Sequence, residues 1–87
     1  MVWDASKNQK LIQEGRPSFE QVVQATVEGK MLDLIENSSH RHQSQQVIII
    51  SVNEYTCAVP FEETQYYYIL KTVFPSRKLH TIYGRKM

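Results

Sequence analysis

Cysteine occurs once in the 87 residues, as Cys57, which excludes an internal disulfide and any zinc site built on cysteine pairs. The glycines, Gly15, Gly29 and Gly84, are scattered, so there is no glycine-rich loop of the kind that cradles a nucleotide phosphate. No apolar run approaches the roughly 18–20 residues that span a bilayer. Met1-Val2-Trp3-Asp4 is not the basic opening of a signal peptide, and with the lone cysteine this leads us to expect a cytoplasmic protein. Net charge is +1, small for a general nucleic-acid binder. Acids are absent from one end: all nine lie in the first 63 residues, whereas Leu70 to Met87 holds five Lys or Arg and one His. A basic end on a near-neutral chain sets up a local positive field.

The hydrophobic share, 41%, supports one modest core, and no repeat, low-complexity run or linker divides residues 1–87, so we read a single domain. Asp4 is a good N-cap for a helix to about Glu14, with Gly15 at its end and Trp3, Leu11 and Ile12 as a thin apolar face. Ser18 and Gln21 form a capping-box pattern, and Phe19, Val22, Val23 and Val27 follow at helical spacing up to Gly29. The period then shortens. Met31 to Glu36 reads as a strand, and Asn37 to Gln46 as a polar loop. Val47-Ile48-Ile49-Ile50-Ser51-Val52 is β-branched enough for a central strand. Tyr55 to Phe61 is its hairpin partner, ending near Pro60, and Glu62 to Gln65 turns the chain. Tyr66 to Phe74 reads as the longest strand. A short helix follows, with Leu79, Ile82 and Tyr83 on one face. The expected class is α+β: two N-terminal helices, a four-stranded mainly antiparallel sheet and a short C-terminal helix.

The junction Leu70 to Lys78 concentrates chemistry. Arg77 carries a planar fork that can hold two phosphate oxygens, and Lys71 is a cation on an otherwise apolar strand. Ser76 and Lys78 add a hydroxyl and a further charge at the helix start, where free N–H groups attract anions. His40 and His42 titrate nearest neutrality and alternate along the loop, so either could serve as acid or base. No third ligand stands near them in sequence, and we assign no metal and no cofactor. His80, one residue past Leu79, is read as a surface residue. In a strand, Tyr66 and Tyr68 point one way and Tyr67 the other, and an exposed tyrosine can stack on an unpaired base. Phe19 to Glu28 has no Lys or Arg, which argues against a DNA-reading recognition helix.

This order of elements, with its motifs, resembles the BrnT family of small toxins from bacterial toxin–antitoxin pairs. Val2-Trp3-Asp4-Ala5-Ser6-Lys7-Asn8 is similar to the family's aromatic-Asp-x-x-Lys opening. Gly15-Arg16-Pro17-Ser18-Phe19-Glu20-Gln21-Val22 is similar to its Ser-Phe-Glu segment, and His40 falls near its loop histidine. Lys71-Thr72-Val73 through Arg77-Lys78 resembles its basic strand and following Arg pair, with Lys71 where Arg is usual and Pro75 inserted at the junction. The resemblance implies a RelE-like ribonuclease fold and metal-independent cleavage of RNA. The 2′-OH would attack the adjacent phosphate, with Lys71, Arg77 and His40 in catalysis and Lys78, His42, Ser76 and Tyr67 on the RNA. It also implies a cognate antitoxin as protein partner, operator DNA reached only through the antitoxin complex, and no membrane. The alternative is a non-catalytic binding or assembly module of the same fold whose basic end docks an acidic protein.

Overall fold

The computed structural model describes residues 1–36 and 45–84, and it is α+β. Helix α1 covers Ala5–Gln13 and α2 Phe19–Val27. The strands are β1 Met31–Glu36, β2 Gln45–Val52, β3 Tyr55–Glu63, β4 Tyr68–Leu70 and β5 Phe74–Pro75. Helix α3, Arg77–Tyr83, closes the described chain. No described helix is long and apolar enough to cross a membrane.

Local chemistry sets the helix ends. Asp4 accepts from the Lys7 N–H, and Ser18 and Gln21 make the reciprocal capping box, each satisfying an amide that helix geometry leaves unpaired. Gly15 takes φ 73°, the left-handed conformation that lets the chain leave α1 at once. Asn8, buried on α1, clamps the pair: Oδ1 accepts from the Phe19 N–H at 2.8 Å, and Nδ2 donates to Glu20 at 2.7 Å. That bond to Glu20 holds its carboxyl below the usual range.

The sheet order is β1-β2-β3-β4, all antiparallel, with β5 also on β3. Val2 bridges Ile69 in parallel and so covers the outer edge of β4. The β2–β3 turn puts both Asn53 (φ 52°) and Glu54 (φ 66°) in the left-handed region, as a tight two-residue hairpin requires. Strand alternation divides the sheet into two faces. Ile48, Ile50, Val52, Cys57, Val59 and Phe61 point towards α1 and α2, where they meet Leu11, Phe19, Val22 and Ala25 in the main core. Each buried Val, Leu, Ile or Phe among them contributes about 1.5–3 kcal/mol by burial. Trp3 stacks on Phe19 at 5.6 Å and seals that core from the N-terminal side. The helix stripes are narrower than their sequence implies: Val27 and Ile12 are exposed, and Ala25 takes an inner position.

The second face carries Asp33, Ile49, Ser51, Thr56, Ala58, Pro60 and Glu62, by register with one another. Helix α3 crosses it, bonding Thr56 of β3 through His80 and Asp33 of β1 through Tyr83. Ile49, fully buried yet outside the main core, lies between those two anchors. The described residues thus form three layers, helix pair, sheet and α3. None of the residues of α3 is itself buried.

Two expectations about the strands need correcting. Strand β3 does not end at Pro60 but runs to Glu63, so Glu62 and Glu63 are strand residues rather than turn. In a strand the N–H and C=O of one residue point to the same neighbour. Pro60 gives its carbonyl to the Lys71 N–H at 2.9 Å, and the N–H it lacks would have served the same side. Proline therefore ends the β4 pairing while β2 continues alongside. The expected single strand Tyr66–Phe74 is also broken. Tyr66 and Tyr67 belong to a turn, and β4 stops at Leu70. Leu70 faces Phe61, so unbroken register would set Phe74 against Cys57 in the core. Phe74 instead faces Ala58 on the second face, and Pro75 faces Cys57. One extra residue between Lys71 and Phe74 acts as a bulge, which turns the following side chains over. The longest described strand is therefore β3.

Candidate anion-binding face

The bulge decides what each residue of the basic segment does. Lys71 is not on a strand but just past one, opposite Pro60, with its side chain on the second face. Its Nζ lies 3.0 Å from Oε2 of Glu62, a residue of the same face, and both side chains are about 40% exposed. A pair this exposed is worth roughly 0–1 kcal/mol and yields readily to a stronger anion. Val73, which sequence alternation sets beside Lys71, is instead fully buried in the main core. Thr72 is buried at the bulge, and among the described residues its Oγ1 is a buried side-chain atom with no hydrogen-bond partner.

Ser76 caps α3 by accepting the Leu79 N–H at 3.2 Å, and its own N–H goes to the Thr56 carbonyl at 3.0 Å. Its hydroxyl oxygen is thereby committed to the cap. Arg77 and Lys78 follow on the first turn, both exposed. Because α3 rests on the second face, these cations and Lys71 lie on the same side of the sheet. Lys71 is tied to Pro60 and Ser76 to Thr56, four residues apart on β3, which is about 13 Å along the strand. The ion pair with Glu62 draws the Lys71 ammonium towards the far end of that span.

His80 is not a loose surface residue. Its Nδ1 accepts the Thr56 N–H at 3.2 Å and lies 3.1 Å from Thr56 Oγ1, while its ring stacks on Tyr55 at 4.4 Å. It also lines a hollow of about 540 Å³ with Lys30, Leu32, Ser51 and Glu54. Tyr83, read above as sharing a helix face with Leu79 and Ile82, donates its hydroxyl to Asp33 at 2.7 Å, and this bond raises the phenol's pKa.

Tyr67 stands in the β3–β4 turn, half exposed, at the end of the sheet where Glu62 holds Lys71. Thr64 organises this turn. Its Oγ1 accepts from the Tyr67 N–H at 3.0 Å, and both its N–H and its hydroxyl donate to the Tyr67 carbonyl at 2.8 Å. Tyr66, 83% exposed, is the most solvent-facing aromatic side chain described, and Tyr68 turns inward against Phe61 at 5.0 Å. His40 and His42 lie outside the described residues.

Two residues of this region escape a reading of the sequence. Arg16, in the α1–α2 connector, donates to the Val73 carbonyl at 3.2 Å, pairs with Glu14 and sets its guanidinium 5.6 Å from the centre of the Phe74 ring. Phe74 itself is 49% exposed. No local pattern announces either role, since the contact spans 57 residues of chain. Among the described residues no group of three or more His, Cys, Asp or Glu is arranged to hold a metal.

The chain matches no known family model, no curated protein and no solved structure.

Proposed function

We propose that this chain is a cytoplasmic, metal-independent endoribonuclease, the BrnT-like toxin of a bacterial toxin–antitoxin pair, which inhibits translation by cutting RNA. The observation that supports this reading best is the shared face: Lys71, Arg77 and Lys78 all lie on the side of the sheet that α3 occupies. In the reaction the ribose 2′-oxygen attacks phosphorus and loses its proton to a base. The bond from phosphorus to the 5′-oxygen breaks, and that oxygen takes a proton from an acid. A 2′,3′-cyclic phosphate and a 5′-hydroxyl result. Arg77 is assigned to the phosphorane oxygens and Lys71 to the charge developing beside them, the electrostatic role of cations aimed at the reacting phosphate. Lys78 attracts the backbone, Ser76 offers it the hydroxyl proton that the cap leaves free, Tyr67 stacks on a base, His42 contacts the RNA, and His40 supplies proton transfer, worth roughly 10²–10⁴-fold. His80 is poorly placed for that task, because one ring nitrogen is already committed to Thr56.

The ion pair between Lys71 and Glu62 favours a second reading, a binding module of the same fold that docks an acidic protein. Induced expression separates the two. A nuclease arrests growth, the product of the neighbouring gene restores it, and Lys71→Ala with Arg77→Ala abolishes the arrest. A chain that is harmless alone, and equally harmless in the double variant, is the module.

A further inference from the structure

Phe74 has no core function to explain it. It sits in a two-residue strand, is half exposed, and reaches the surface because the bulge turns it away from Cys57 and onto Ala58. Its setting is cationic. Arg16 lies over the ring at 5.6 Å, within the range of a cation–π contact, and is fixed there by Val73 and Glu14. Along β3, Ala58 stands midway between Pro60, which holds Lys71, and Thr56, which holds Ser76 beside Arg77. The backbone anchors on this face therefore run Lys71, Phe74, then Ser76 beside Arg77, in steps of two β3 residues or about 7 Å, and the Lys71 ammonium reaches further out, to Glu62. An apolar protein segment would gain from the ring but not from cations on either side of it. A single-stranded nucleic acid uses both, since bases stack on aromatic faces while phosphates pair with the flanking charges.

We propose that Phe74, backed by Arg16, is the stacking platform for an unpaired nucleobase of single-stranded RNA, with Lys71 and Arg77 on the phosphates to either side. This rests on the RNA reading given above and names how the strand is held. It assigns a base-binding residue that lies outside the basic set.

The test is binding of the full chain to two fluorescein-labelled oligonucleotides of equal length and charge, one a mixed-sequence single-stranded RNA and the other abasic. The wild type is expected to prefer the base-bearing strand. Phe74→Ala and Phe74→Leu should lose that preference, on the order of 10- to 100-fold, while binding the abasic strand as before. Phe74→Tyr should keep it, and circular dichroism of each variant checks the fold. If the wild type binds RNA and Phe74→Ala binds both strands equally well as the wild type, the stacking role is wrong and the RNA reading stands. The same outcome follows if the ring serves a protein partner instead. If the wild type binds neither strand, the RNA reading fails and the platform with it.

Discussion

The backbone N–H of Thr56 points at Nδ1 of His80, 3.2 Å away, and so makes that nitrogen an acceptor. A neutral imidazole with Nδ1 accepting carries its proton on Nε2. Heteronuclear NMR of the ring should report the Nε2–H tautomer. His80→Ala leaves the Thr56 N–H without its partner under α3, and unfolding should become easier by about 1–3 kcal/mol. A ring found as the Nδ1–H tautomer would mean that α3 is not seated on Thr56.

Asn8 ties the helix pair together through two bonds from one amide. Asn8→Ala strands the Phe19 N–H in a buried position, and we expect a loss of about 1–3 kcal/mol in denaturant unfolding. Asn8→Asp keeps the acceptor but faces Glu20 with a second carboxylate, so it should be destabilising at neutral pH and recover as the solution is acidified. A variant indifferent to pH would contradict the pairing with Glu20.

At the bulge, Thr72→Val removes a buried hydroxyl that has no partner and keeps the side-chain shape. Thermal unfolding should show a gain of about 1 kcal/mol. Thr72→Ser, which keeps the hydroxyl and loses the methyl group, should be destabilising. A loss in the valine variant would reveal a bond to the hydroxyl that this arrangement does not contain.

Cys57 is fully buried, and burial pushes its thiol up to about 11. The folded state therefore holds this proton more tightly than the unfolded chain, whose thiol titrates near 9. Its stabilising effect is complete below pH 9 and fades as pH rises towards 11, by an amount on the order of 2 kcal/mol. The difference in stability between the wild type and Cys57→Ala should narrow across that window. The native thiol should also react slowly with disulfide reagents at pH 8. Fast labelling under native conditions would show that β3 is not covered.

Much of the fold is legible in the chain because short-range chemistry writes it. Asp4, Gly15 and the Ser18–Gln21 box mark helix ends, and the β-branched run at Val47 marks an interior strand. The bulge is not legible. Residues 66–74 are nearly all good strand formers, and what interrupts them comes from elsewhere. Pro60 offers no N–H beyond Lys71, Val73 is wanted by the core, and Arg16 holds the Val73 carbonyl from the other end of the chain. The candidate site inherits the same division. Arg77 and Lys71 announce themselves by charge, whereas the exposure of Phe74 follows from a register shift that no local pattern encodes.

The ribonuclease reading stands or falls on whether the purified chain cuts RNA in the presence of EDTA. Fragments should end in a 2′,3′-cyclic phosphate and begin with a 5′-hydroxyl, and the rate should fall by about 10²-fold or more in Arg77→Ala. Intact RNA after incubation with the wild type, or cutting that continues undiminished in both Lys71→Ala and Arg77→Ala, would contradict that reading.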